Sequence, residues 1–124
     1  MKLREIIEII EGKLYSNEHP QDCDIKGVCG ADLMSDVLAS AQPEAILLTG
    51  LCHPQVIRTA QMADVCAIAF VRGKKPSKEM VELANQQGIP LISSPYGMFE
   101  LCGRLYQAGL SSFEVRYVQD SNDE

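Results

Sequence analysis

The 124-residue sequence predicts an α/β fold, three layers α/β/α around a mainly parallel central sheet. Three observations carry this. Ala45-Ile46-Leu47-Leu48-Thr49, Ala67-Ile68-Ala69-Phe70-Val71 and Ile89-Pro90-Leu91-Ile92 are short runs apolar on both faces, as buried parallel strands are. Segments of helical period separate them. The runs recur at a spacing of about 21 to 22 residues, which suits a compact βαβ crossover.

The elements follow in order. Leu3, Ile6, Ile7 and Ile10 share one helical face, opposite Arg4, Glu5, Glu8 and Glu11, and Gly12 is placed to end that helix. Lys13-Leu14-Tyr15-Ser16 reads as a short strand. Asn17 to Asp24, with Pro20, reads as a loop, and Ile25 to Ala31 as a strand or strand edge. Asp32 or Ser35 is the expected cap of a second helix carrying Val37, Leu38 and Ala41. A helix from Pro54 to about Ala63 follows the first buried run. Ser77 to Gln87 forms the next, stopped by Gly88, and Pro95 to about Gln107 the last, ended by Gly109. Crossovers of this kind are right-handed, so the three strands lie parallel with helices on the sheet faces. From Ser111 to Gln119, Phe113, Val115 and Tyr117 alternate with Glu114 and Arg116. That is the pattern of a strand extending a sheet edge or pairing with another chain; a loose tail is the other reading.

Charge and cysteine usage narrow the function classes. A formal net charge of −6 disfavours nucleic acid as a partner. The basic run Arg72-Gly73-Lys74-Lys75 is too short for a nucleic-acid stripe but long enough to hold one small anion. No segment reaches the roughly 18 apolar residues of a membrane span, and Glu5, Glu8 and Glu11 interrupt any signal sequence. The expectation is a cytoplasmic chain without a membrane partner. Five cysteines, Cys23, Cys29, Cys52, Cys66 and Cys102, make an odd count without framework spacing, so they are expected to be free thiols. Cys66 and Cys102 sit in apolar surroundings and read as core. No C-x-x-C or H-x-x-x-H pair is present, so neither metal nor cofactor is implied.

In a parallel sheet, ligands bind beyond the carboxyl ends of the strands. Three loops occupy that position. In Thr49-Gly50-Leu51-Cys52-His53-Pro54, Gly50 permits a sharp turn, Pro54 suits a first helical position, and His53 sits beside free backbone donors. His53 as a simple helix cap is the structural alternative. In Arg72-Gly73-Lys74-Lys75-Pro76-Ser77, Ser77 is a natural cap and Arg72 leaves a buried strand where a bidentate anion contact is possible. A solvated basic turn is the alternative there. In Ser93-Ser94-Pro95-Tyr96-Gly97, Ser94 is the expected cap, and Ser93 or Tyr96 could add hydroxyl contacts. Outside the loops, Asp32, Ser35 and Asp36 gather two carboxylates and a hydroxyl; they form an acid pair, a cation site, or an acidic first helical turn. The candidate ligand-binding residues are therefore Asp32, Ser35, Asp36, Thr49, Gly50, His53, Arg72, Gly73, Ser93 and Ser94. No P-loop, G-x-G-x-x-G or G-x-S-x-G motif occurs, and no nucleophile–base pair is identifiable, so no catalytic residue is assigned.

Four segments carry a resemblance: Ala31-Asp32-Leu33-Met34-Ser35-Asp36-Val37-Leu38-Ala39, Leu48-Thr49-Gly50 with His53-Pro54, Val71-Arg72-Gly73-Lys74-Lys75-Pro76, and Gly88-Ile89-Pro90-Leu91-Ile92-Ser93. In this order they resemble a DRTGG domain over residues 1–110, leaving 111–124 as an edge strand or tail. The family is similar to the N-terminal domain of bacterial HPr kinase/phosphorylase, and related domains stand beside CBS nucleotide-sensing domains. The resemblance implies a three-layer α/β/α fold, self-association as a homodimer and a regulatory role. Kinase activity in such proteins belongs to a separate P-loop domain, for which this sequence has no motif. The expected function is a non-catalytic module that senses a small anionic ligand such as a nucleotide, or dimerises. A purely structural module that binds a protein partner is the alternative, and a small enzyme the remote one.

Overall fold

Residues 1–16 and 23–113 are described in the computed structural model of the chain. At the start of helix α1 (Leu3–Ile9) the Lys2 amide donates to the Glu5 carboxylate at 3.0 Å. The buried face of the helix, Leu3 and Ile6, continues into Ile10. The stop differs from expectation. Glu11, not Gly12, takes the positive φ, at 51°. A Cβ on Gly12 would lie 2.5 Å from Ile92 Cγ2, so glycine is needed there for a close approach to the sheet rather than for a turn.

The sheet has five strands: β1 (Lys13–Leu14), β2 (Gly27–Gly30), β3 (Ala45–Thr49), β4 (Ala67–Phe70) and β5 (Leu91–Ser93). Their spatial order is β1-β5-β4-β3-β2, with β2 to β5 parallel and β1 antiparallel to β5. Every residue of β3 and β4 is buried, as central strands covered on both faces must be. Ser16 fastens the β1 edge: its hydroxyl donates to the Ile89 carbonyl at 2.9 Å and accepts from the Leu91 amide at 2.7 Å.

Helices α2 (Met34–Ser40), α3 (Pro54–Ala63) and α4 (Lys78–Gln87) cover one face of the sheet; α1 and α5 (Met98–Gln107) cover the other. The three-layer arrangement is thus observed. Gly88 ends α4 in the left-handed conformation, with φ of 70°, and the Ser77 hydroxyl accepts from the Met80 amide at 3.2 Å.

Several boundaries shift. The second strand is shorter than Ile25–Ala31, because the Ile25 amide bonds the Met1 carbonyl at 2.8 Å outside the ladder. The cap of α2 is Leu33, with no side-chain bond, and Ser35 lies inside the helix. The fifth strand begins at Leu91, since Pro90 has no N–H and the Ile89 amide closes onto Ala84 at 2.9 Å. Helix α5 starts at Met98 with Gly97 at its N-cap, not at Pro95 behind Ser94. Beyond α5, the Val28 amide donates to the Ser111 carbonyl and the Phe113 amide to the Val28 carbonyl, each at 2.9 Å, so residues 111–113 run beside β2. Most of the alternating Ser111–Gln119 pattern, and Pro20 with its neighbours, lie outside the described residues.

Candidate functional site

Parallel strands β2, β3 and β4 release their chains at one edge of the sheet. A cavity of about 230 Å³ opens there, lined by Asp32, Gly50, Val71, Arg72, Lys74 and Met98. The loops around it are tied to one another. Asp32 Oδ1 accepts from the Gly50 amide at 2.7 Å and from Thr49 Oγ1 at 3.1 Å. Thr49 is fully buried, and its Oγ1 accepts in turn from the Leu51 amide at 3.1 Å. Lys74 Nζ donates to the Gly50 carbonyl. A carboxylate from the end of β2 and an ammonium from the end of β4 therefore clasp the loop after β3.

The turn that carries the cations is held from the other side. Arg72 and Gly73 both take positive φ, 59° and 65°. The Arg72 amide donates to the Tyr96 carbonyl at 2.8 Å and the Gly73 amide to the Ser94 carbonyl at 2.7 Å. Ser93 Oγ donates to the Lys74 carbonyl at 2.7 Å. The backbone is thus fixed while the Arg72 side chain stays exposed, with no hydrogen bond or ion pair to any described residue. Its Nε lies 3.9 Å from where a Cβ on Gly97 would be, so the guanidinium passes over the entrance to α5. Two cationic side chains and one carboxylate thus line the cavity.

The predicted residues divide. Asp32, Thr49, Gly50, Arg72, Gly73 and Ser93 form or brace this cavity. Ser94 does not belong to it. It is fully buried, and its hydroxyl donates to the Ile10 carbonyl at 2.7 Å, joining the loop after β5 to the end of α1. His53 caps α3, its Nδ1 accepting from the Gln55 amide at 3.1 Å. It lines a different groove, between α2 and α3, together with Met34, Ser35, Leu38, Arg58 and Met62. His53 and Arg72, adjacent by strand order, therefore face different cavities. Asp36 is exposed in the first turn of α2, outside both linings. Tyr96 offers its ring to Arg104, whose guanidinium carbon is 4.0 Å from the centroid.

Val71, Lys74 and Met98 are the site residues that the sequence left unassigned. The basic run pointed to Lys74, but nothing separated it from Lys75 before the turn was seen. Met98 gave no signal, being one more apolar residue at a helix start. Two of the thiols, Cys52 and Cys66, are held toward their protonated form. Burial pushes the Cys52 thiol up from its ordinary value, with Lys74 opposing, and burial does the same to Cys66, reinforced by its contact with Cys23. Among the described residues, no group of three or more His, Cys, Asp or Glu is placed to hold a metal. No helix among them is long and apolar enough to cross a membrane.

The sequence pattern of the DRTGG domain matches residues 5–108. The chain belongs to the DRTGG domain family. Comparison with curated proteins finds no match. Among solved structures, this DRTGG domain resembles the CBS and DRTGG domains of the regulatory region of Clostridium perfringens pyrophosphatase, complexed with its activator, diadenosine tetraphosphate. The TM-score is 0.74 at 18% identity, over 86% of this chain and 46% of that one. The likeness is one of fold, and the chain spans less than half of that regulatory region.

Proposed function

We propose that this DRTGG domain is a cytoplasmic regulatory module that binds a small anionic ligand, of the nucleotide or phosphometabolite class, at Arg72 and Lys74, and that it performs no chemistry of its own. One observation carries the reading. Arg72 adopts a left-handed backbone that a side chain disfavours, and its guanidinium has no partner among the described residues. Arginine held in such a conformation, beside Lys74, makes sense as a ligand contact rather than a folding contact. The nucleotide activator of the pyrophosphatase regulatory region supports the ligand class.

Inorganic tripolyphosphate is the probe. Binding only to the native state stabilises by about 2.7 kcal/mol at a hundred times Kd, so the melting temperature should climb with tripolyphosphate. Arg72→Ala and Lys74→Ala should each reduce the rise, and the double substitution should remove it. An undiminished rise in the double variant would refute the site.

A second reading, self-association, draws on the groove between α2 and α3. Leu33 is 62% exposed, Leu38 49% and Met62 68%, more apolar surface than a lone helix pair needs to show. Light scattering should find a dimer that Leu38→Glu with Met62→Glu converts to a monomer. A wild-type monomer at every concentration would exclude this reading without touching the anion site.

A further inference from the structure

A second cavity adjoins the first. It holds about 250 Å³ and is lined mainly by apolar groups: Val28 and Gly30 of β2, Cys102 and Tyr106 of α5, and Leu110. Their linings come together at Gly30 and Met98. A Cβ on Gly30 would lie 3.9 Å from the sulfur of Met98; Gly30 lines the apolar cleft and Met98 the cationic cavity. Each cavity alone falls below the roughly 300 Å³ at which ligand pockets begin; joined past Gly30 and Met98 they exceed it.

Strand order arranges the chemistry in a line. Arg72 and Lys74 follow β4, the Gly50 loop follows β3, Asp32 follows β2, and the apolar cleft lies on the α5 side of β2. Asp32 is the odd member of a cationic cavity. Its Oδ1 is engaged by Gly50 and Thr49, but Oδ2 has no hydrogen-bond partner among the described residues. A carboxylate there repels a bare phosphate, yet it is a strong acceptor for vicinal hydroxyls, the role that an acidic residue plays toward ribose in dinucleotide-binding folds. Tyr106 is 75% exposed, so one face of its ring is open for stacking.

We infer that the two cavities form one site for a ribonucleotide: phosphates on Arg72 and Lys74, the ribose diol on Asp32 Oδ2, and the base in the cleft against Tyr106. This rests on the anion-site reading above and extends it by two contacts. It explains why a carboxylate stands among the cations.

The test compares the affinities of tripolyphosphate, ATP and 2′,3′-dideoxy-ATP by calorimetry on the whole chain. ATP should bind at least tenfold more tightly than tripolyphosphate, and dideoxy-ATP several-fold more weakly than ATP. Tyr106→Ala removes the stacking face, and Ser111→Trp, from an exposed position on the rim, fills the cleft. Both should erase the ATP advantage and leave tripolyphosphate unchanged. Asp32→Asn should tighten tripolyphosphate, by removing a like charge, while abolishing the discrimination against dideoxy-ATP. If tripolyphosphate binds but ATP binds no better, the base and ribose contacts are wrong and the anion site stands. Equal affinity for ATP and dideoxy-ATP in the wild type overturns the ribose contact. If neither tripolyphosphate nor ATP binds, the anion site fails and this inference fails with it.

Discussion

Arg72 shows how a single residue can oppose the fold that carries it. A left-handed backbone costs a non-glycine residue about 1–2 kcal/mol, and glycine would escape that cost at some loss of unfolded-state entropy. Arg72→Gly should therefore hold stability level or raise it by up to about 1 kcal/mol, while weakening tripolyphosphate binding at least tenfold. Denaturant unfolding beside a binding isotherm reads both; a less stable variant would show that the side chain supports the fold after all. Asp24 behaves in the opposite way. The Lys26 ammonium donates to it at 2.9 Å and, with the amino terminus, lowers its pKa from 3.8 to about 2. A carboxyl with a depressed pKa adds stability above its unfolded value, and that stability is lost as the pH falls through the folded value. Asp24→Asn should accordingly be slightly less stable than wild type at neutral pH. The gap should close as the pH falls from 3.8 toward 2. A gap unchanged across that window would remove the ion pair as its cause.

At the scale of elements, what was legible depended on where each signal lies along the chain. Helices α3 and α4 announced their own ends: His53, Pro54, Ser77 and Gly88 act within one turn of themselves, so their residue types sufficed. Asp32 and Ser94 look equally like caps, but Asp32 bonds to Gly50, and Ser94, besides accepting locally from the Tyr96 amide, donates to Ile10, far away in sequence. No local pattern distinguishes a cap from a long-range tie. Ser94 supplies a prediction at this scale. Its hydroxyl is fully buried and donates to the Ile10 carbonyl, just past the end of α1. Ser94→Ala leaves the Ile10 carbonyl without that donor and should cost about 1–3 kcal/mol, with tripolyphosphate binding retained. A neutral change in equilibrium unfolding would mean that the tie adds nothing to docking of α1. Ser93→Ala, one residue earlier, should instead loosen the Lys74 turn that its hydroxyl holds.

The whole molecule follows from its two central strands. The runs Ala45–Thr49 and Ala67–Val71 are apolar on both faces, and that alone requires helices above and below and parallel neighbours. The α/β/α architecture was therefore readable without tertiary information, and so was the edge at which the loops collect. The edges were legible only as strand segments, Lys13–Ser16 and Ile25–Ala31, without their order or direction in the sheet. Strand β1 has two residues, too few for a period, and its antiparallel pairing depends on Ser16 reaching Ile89 and Leu91. The separation of His53 from Arg72 was likewise invisible, because it depends on which side of the sheet each loop leans toward. The same gradient from centre to edge should govern how the molecule opens. Ile46–Leu48 and Ile68–Phe70 lie in strands with a neighbour on each side, sealed under two helical layers, so exchange of their amides with deuterium should require global unfolding. Amides of the β1 edge and of residues 111–113, each paired on one side in the described structure, should exchange earlier by local opening. Bound tripolyphosphate should slow exchange at Gly50–Cys52 and Arg72–Lys75, at the carboxyl edge, and not at Cys66 on the opposite edge except through the global term. Exchange from β3 as fast as from β1 would show that the two central strands do not form the last unit to open.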